Sequence, residues 1–552
     1  MGYSCRHYGN WREAKIVTQA QKGASAGGSA FRQQMQTAFE LLQKGLVADA
    51  RQLSNGLLAT HAGNAEVLFL ASEVRLAEDN PEGALEFIVA AADAAPGQLP
   101  LLLKKAENLI MLRRRTQARQ VAADAVAVAG NDGRALWEIG KIFSRCDDPA
   151  GARPLYERAL AVMGRHPAFL YDLAVARHHT GDSAGAEAVL DALLRLAPKF
   201  GHACYLRSTL RRQTDARNHV RELEQRLAAA FPTPDASVAC LFALAKERED
   251  LGQDAESLSA LAQGAALKRQ SLSYDAAAER DAIDGIRQAY TQAVMQTKTV
   301  GHEQSGAIFI VGMPRTGTTL VERMLGRHSD VESAGELLDF SQVLAAAVRK
   351  VVQANPGVSL IDASLMVDFA ALGRDYMTGA RQAAANSRLF IDKMPINYMY
   401  CGLIKKALPN ARIIHLVRDP MDSCYAVYKT LFSQAYYFSY DFDELAAYYA
   451  CYHRMMQHWH AVMPGAILDV RYEDIVVDTE GEARRIVDWC GLNWQPAVLA
   501  PAANEKPSTT ASAAQVREPI YTSSVHKWRR HAAALAPLKA RLAAAGIVDA
   551  QE

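Results

Sequence analysis

The residues of this chain best suited to chemistry stand at 312–319, where the sequence reads GMPRTGTT. An apolar run, Ala307-Ile308-Phe309-Ile310-Val311, precedes them and a helical pattern follows at once. A glycine-framed loop between a buried strand and a helix N-terminus is an anion cradle, because backbone N–H groups and the helix dipole converge on a phosphate. Arg315, Thr316, Gly317, Thr318 and Thr319 are therefore candidate ligands of an anionic nucleotide. A nucleoside-triphosphatase loop carries lysine where Thr318 stands, and that lysine reaches the β- and γ-phosphates. This loop instead suits a nucleotide without a γ-phosphate, with Arg315 supplying a permanent positive charge.

Further reactive side chains follow in order. Glu336 lies just past the first helix and the turn His328-Ser329-Asp330-Val331. Taken alone it reads as a helix-starting carboxylate, since acids favour a first turn. Glu332, Asp339, His328 and His415 are alternative bases; His415 sits in an apolar strand and reads as a satisfied core histidine. Lys393 ends the run FIDK, where a cation suits charge developing on a leaving oxygen, with Asp392 beside it as a partner. Arg418 fits a phosphate by paired hydrogen bonds, and Tyr472 is a strand-end aromatic. The segment 508–528 is rich in Ser and Thr and ends in the basic run VHKWRR.

GMPRTGTT resembles the 5′-phosphosulfate loop of the sulfotransferases that use 3′-phosphoadenosine 5′-phosphosulfate (PAPS). The stretch 411–420, ARIIHLVRDP, resembles that family's 3′-phosphate strand, with its arginine at Arg418. The similarity covers residues 305–545 and is to the tyrosylprotein-sulfotransferase-like branch, which includes bacterial proteins with repeats fused in front. It implies that Glu336 is the general base and that Arg315 and Lys393 steady the sulfuryl group and the leaving phosphate. By the same resemblance Ser512 touches the transferring group, with Ser523 and Ser524 competing for that role. Arg418, Ser423, Tyr472 and Lys527 would then hold the adenosine 3′-phosphate end. One departure stands out: the family's serine eight residues after the arginine is here Ala426, with Ser423 on a neighbouring turn as its substitute. PAP is the expected product, and no metal is required. Two other classes stay open. A P-loop nucleotide kinase is disfavoured by the missing lysine; a repeat-based adaptor with an inactive nucleotide-binding domain is disfavoured by the presence together of Arg315, Glu336, Lys393 and Arg418 and favoured by Ala426.

The elements that must position these residues read clearly. Runs at 307–311, 388–391, 411–417 and 466–471 are core strands separated by helical stretches, which argues for an α/β domain with a mostly parallel sheet. Ligands then sit beyond the carboxyl ends of the strands, where every motif falls. Upstream, Ala50, Ala84, Ala118, Ala152 and Ala186 recur every 34 residues, and Ala38, Ser72, Ala106, Gly140 and Ala174 stand twelve residues before them. This period resembles the tetratricopeptide repeat, an α-solenoid of stacked helix pairs. About seven repeats fill 31–275, the one around Val220 being poorly formed. The expected order is a flexible tail at 1–28, an α-solenoid at 29–297, a linker at 298–306 and a P-loop-like sulfotransferase domain at 307–545.

Composition bounds the rest. At 552 residues, half of them hydrophobic, the chain holds more than one core. A net charge of +1 offers no global field for nucleic acid or an anionic membrane. The eight cysteines are scattered without metal spacing, which suits reduced thiols in a cytoplasmic protein. No apolar stretch reaches the ~18 residues that cross a bilayer. The repeats suggest a protein or peptide acceptor or partner, or a homodimer surface.

Overall fold

The structure, a computed structural model, describes residues 26–384, 387–432, 434–503 and 524–549. The chain divides into two compact units, residues 1–169 and 170–552. The expected tail at 1–28 and Ser512 lie almost wholly or wholly outside the described residues. No helix among the described residues is long and apolar enough to cross a membrane.

The first unit is a run of helix pairs: α1 (Ala26–Gln43) with α2 (Val47–Thr60), α3 (Ala65–Ala77) with α4 (Pro81–Ala94), α5 (Leu99–Met111) with α6 (Arg115–Ala129), and α7 (Gly133–Arg145) with α8 (Pro149–Met163). The sequence punctuates them. Asn80 and Asp148 accept the backbone N–H groups of Gly83 and Gly151, and each is followed by proline at the first helical position; such a cap is worth about 1 kcal/mol. The periodic alanines Ala50, Ala84, Ala118 and Ala152 are fully buried. A Cβ on Gly140 would lie 2.5 Å from the Tyr156 ring, so the paired helices touch where the repeat demands small residues.

The second unit contains α9 (Pro167–His179), most of which belongs to it, α10 (Ser183–Leu196), α11 (Gly201–Thr209), α12 (Val220–Ala228), α13 (Pro234–Asp250), α14 (Asp254–Gln270), α15 (Ala276–Ala289) and α16 (Gln292–Gln296). The poorly patterned repeat is α11 with α12, two nine-residue helices joined by a short bridge between Thr214 and Arg217. The same unit then runs through β1 (Ala307–Gly312), α17 (Thr318–Leu325), β2 (Val331–Ser333), α18 (Asp339–Ala354), α19 (Leu360–Leu365), α20 (Phe369–Ala383), β3 (Leu389–Asp392), α21 (Cys401–Ala407), β4 (Arg412–Val417), α22 (Pro420–Tyr428), α23 (Phe442–Val462), β5 (Ile467–Arg471), α24 (Tyr472–Val477), α25 (Thr479–Trp489) and α26 (Ala532–Ala544). The five strands form one parallel sheet in the order β2-β3-β1-β4-β5. Ile308, Ile310, Ile391, Ile414, Leu416 and Val470 bury one face against α17 and α25. Each such side chain contributes about 1.5–3 kcal/mol.

Two features of the fold go beyond the sequence reading. Strand β2 escaped notice because three residues cannot establish a period. The division at 298–306 is not where the contacts part. Residues 170–297 share a compact unit with the sheet, and the connector, exposed over most of its length with Val300 at 82%, is anchored near its middle. The His302 N–H donates to the Ala407 carbonyl at 2.8 Å, and a Cβ on Gly301 would lie 2.5 Å from the Lys406 carbonyl. Arg269 of α14 pairs with Glu444 of α23 at 2.7 Å, and Tyr290 meets Ser364 and Trp459. Helices of the repeat region thus pack on the sheet-bearing part of the same unit through side chains, and sequence periodicity carries no information on that docking.

Candidate active site

The loop after β1 is built for an anion. Gly312, Arg315 and Gly317 all have positive φ, at 148°, 68° and 103°. A non-glycine residue there is strained by its Cβ, so Arg315 is held in place by its surroundings. The Thr316 hydroxyl donates to the Met313 carbonyl at 2.8 Å, closing the turn. Gly317 caps α17, whose first-turn N–H groups have no intrahelical acceptor and point into the loop. A Cβ on Gly317 would lie 2.7 Å from the Tyr472 ring, and one on Gly312 would lie 2.7 Å from the Leu416 carbonyl. Both glycines are therefore dictated by close approach as well as by φ.

On the β2–β3 side, Lys393 is 1% exposed. Its ammonium is ion-paired with Glu336 and stands 3.8 Å from Glu322 of α17. Glu322 also accepts the Ser333 hydroxyl, which in turn accepts the Gly335 N–H at 3.0 Å. The Lys393 N–H donates to the Gly335 carbonyl at 2.9 Å, so the turn bearing Glu336 is stitched to the strand bearing Lys393. The Glu336 side chain is 43% exposed, open to an incoming molecule. Tyr436 stands near it: burial first, then the Glu336 charge, push its hydroxyl pKa up. Asp392 does not turn to Lys393 as expected; it accepts from Tyr376 at 2.9 Å and Asn397 at 3.4 Å. Burial holds its pKa well above the usual carboxylate range.

On the β4–β5 side, the Arg418 guanidinium donates to the Arg315 carbonyl at 3.1 Å and the Ser524 carbonyl at 2.6 Å. It also lies 4.9 Å from the Tyr472 ring centre. The Tyr472 hydroxyl meets that of Ser524 at 2.6 Å. Asp422, in the first turn of α22, accepts the N–H groups of His526 and Trp528, which seats residues 524–528 beside Arg418. Ser423 is fully buried with its hydroxyl toward the Arg418 carbonyl at 3.4 Å, so the expected stand-in for the missing serine turns away from a ligand. Lys527 sits 3.2 Å from Glu249 of α13.

Three of the four alternative bases are buried, and Glu332 on β2 is half-buried. His328 is 3% exposed, its ring bound to the Asn493 carbonyl and the Asp330 N–H. His415 is buried between Tyr452 and Asp469, as a core histidine. With His460, 3.0 Å from the same carboxylate, it forms a trio of metal-ligand type assembled only by tertiary folding, here held by hydrogen bonds. Asp339 is buried at the start of α18.

Sequence reasoning missed Glu322, Tyr436, Glu249 and Tyr205. Tyr205 of α11 accepts the Leu431 N–H at 3.1 Å. Burial raises its pKa, opposed by that N–H and by the Arg315 charge, so a repeat helix comes within electrostatic reach of the anion loop. The broken repeat pattern at α11–α12 was the available signal, since a solenoid abandons its period where it abuts something else.

Residues 307–496 match the model of the sulfotransferase family, and residues 147–207 match a tetratricopeptide-repeat model. The five-stranded parallel sheet thus lies within a stretch that matches the sulfotransferase family, and part of the helical region ahead of it matches tetratricopeptide repeats. An uncharacterized protein of Aquifex aeolicus (strain VF5) is 32% identical over 281 residues, 49% of this chain but only 37% of the relative's own length. Protein-tyrosine sulfotransferase 1 of Danio rerio is 25% identical over 279 residues, 45% of this chain and 75% of that protein. A sulfotransferase domain from the Synechococcus PCC 7002 olefin synthase aligns over 42% of this chain and 90% of its own, at 20% identity and a TM-score of 0.32.

Proposed function

We propose that the protein transfers the sulfuryl group of PAPS to a hydroxyl of a protein or peptide, releasing PAP. The observation that carries this reading is the Glu336–Lys393 ion pair, one partner open and the other buried, on the strands next to the anion loop. The acceptor oxygen attacks sulfur as the bond from sulfur to the 5′-phosphate oxygen breaks. Glu336 takes the hydroxyl proton. Protonation neutralises the carboxylate, so Lys393 loses its pairing charge as negative charge grows on the departing phosphate. The ammonium is thereby released to the leaving oxygen at the moment of need, with Glu322 keeping it tethered. Arg315 and the loop amides steady the sulfuryl oxygens. Arg418, Tyr472 and Ser524 hold the adenosine 3′-phosphate end. Catalysis is then positioning plus charge stabilisation, as for phosphoryl transfer, and the chain's own cations meet the charge demand. The described cysteines are free thiols, in keeping with a cytoplasmic setting.

The test is ligand-induced stabilisation. PAP is expected to raise the melting temperature more than ATP with Mg²⁺, since a ligand that binds only the native state stabilises it by mass action. Equal stabilisation by ATP, or none by PAP, would sink the donor assignment.

A further inference from the structure

Glu249 lies in the last turn of α13, a helix of the repeat region, yet the partners described below belong to the sheet-bearing part of the same unit. It is 7% exposed. Lys429, just past α22, donates to both its oxygens at 2.9 and 3.0 Å. The Tyr425 hydroxyl donates to it at 2.8 Å, with His531 behind that hydroxyl at 2.8 Å. Lys527 is 3.2 Å away. Tyr425 and Lys429 lie one turn apart, on the side of α22 that Asp422 begins. Asp422 holds the amides of His526 and Trp528. One buried carboxylate thus joins α22 to the segment 524–531, and Ser524 of that segment contacts both Arg418 and Tyr472.

We propose that Glu249 is a positioning residue of the donor site, through which the repeat region closes the C-terminal segment over the PAPS 3′-phosphate end. This rests on the donor reading above. The physical reason is charge balance. Without the carboxylate, the ammonium groups of Lys429 and Lys527 lose the counter-charge they share, and the buried His531 keeps only Asp254, 4.0 Å away and itself paired with Arg530; a buried charge without its partner is strongly unfavourable. The segment then lifts from α22, taking Ser524 away from Arg418 and Tyr472. Burial alone would raise the Glu249 pKa; Lys429, His531 and Lys527 overcome that and hold it well below the usual range, so the pocket is charged at neutral pH.

The experiment measures PAP binding by calorimetry on the full chain, with hydrogen exchange at the amides of His526 and Trp528. Glu249→Gln is expected to weaken PAP at least tenfold and to speed exchange at those amides. Glu249→Asp, which keeps the charge with shorter reach, is expected to recover most of the affinity, and it serves as the test if the glutamine variant fails to fold. Arg269→Gln breaks a different contact of the same docking surface, the pair with Glu444, and is expected to leave PAP affinity within threefold. Unchanged or tighter PAP binding by Glu249→Gln, or an equal loss in Arg269→Gln, overturns the proposal. A wild-type chain that ignores PAP defeats the donor reading instead, and the exchange rates then still decide whether Glu249 seats the segment.

Discussion

Substituting Glu336 by glutamine separates chemistry from binding. The change removes the proton acceptor while keeping an oxygen within reach of Lys393. A positioned base is worth about 10²–10⁴ in rate, which is about 3–5 kcal/mol of barrier. The structural cost is far smaller. Stripping a partner from a fully buried ion pair costs about 3–5 kcal/mol, but Glu336 is 43% exposed and Glu322 remains 3.8 Å from the ammonium. A half-exposed pair whose hydrogen bond survives as an amide is worth about 1 kcal/mol. The variant should therefore fold, melt a few degrees lower at most, and bind PAP within a few-fold of wild type. Turnover, read as label moved from radioactive PAPS into acceptors of a cell lysate, should fall by the full factor of about 10²–10⁴. A phenolic acceptor, already easier to ionise, should lose less than an alkyl alcohol. Near-normal turnover would refute the base assignment and turn attention to the half-buried Glu332, because the other sequence alternatives His328, His415 and Asp339 are buried.

Three further outcomes are expected. Arg418→Ala should weaken PAP by about 1.5–3 kcal/mol, the worth of a charged hydrogen bond, and should also loosen the segment that Arg418 holds through Ser524, which calorimetry and limited proteolysis would read together. A fragment beginning near residue 300 should fail to fold, whereas one spanning 170–552 should fold and bind PAP; a stable, PAP-binding fragment from 300 would show that the docked repeat helices are dispensable. Stability should fall in acid through Glu249: a carboxylate whose folded pKa is depressed stabilises fully above its unfolded value of about 4.3 and loses that contribution as pH drops toward the folded value. Denaturant midpoints of wild type and Glu249→Gln should accordingly converge below about pH 4.

Much of this was readable in the linear chain, and the reasons differ by feature. The repeat alanines announced themselves because helix pairs impose one steric rule every turn of the solenoid, and Ala84, Ala118 and Ala152 obey it with complete burial. The anion loop was legible because its glycines serve local geometry: positive φ at Gly312 and Gly317 and close approach of Leu416 and Tyr472. Glu336 and Lys393 were identified through resemblance, and only the fold brought them into contact. Glu249 was invisible, one acid in the run KERED, since nothing local tells a solvated carboxylate from one that meets two lysines contributed by residues about 180 and 280 positions on. Ser423 misled for a related reason. Its spacing on α22 was right for a neighbouring turn, but its side-chain direction was set by core packing.

The strand order has a consequence for any ligand built to fill this site. Adjacent strands lie about 4.8 Å apart, and β1 separates β3 from β4. The sheet edge is therefore a ruler: Lys393 hangs from one mark, the loop from the next, Arg418 from a third and Tyr472 from the fourth. From the lysine's strand to the arginine's is two marks, about 10 Å. A compound that bears one anion for the loop and a second for Arg418 reads only half the scale, and it leaves the flank of Glu336 vacant for a linked mimic of the acceptor. Selectivity against nucleotides of similar size would come from that unoccupied flank, because ligands that end at the loop never reach the first mark.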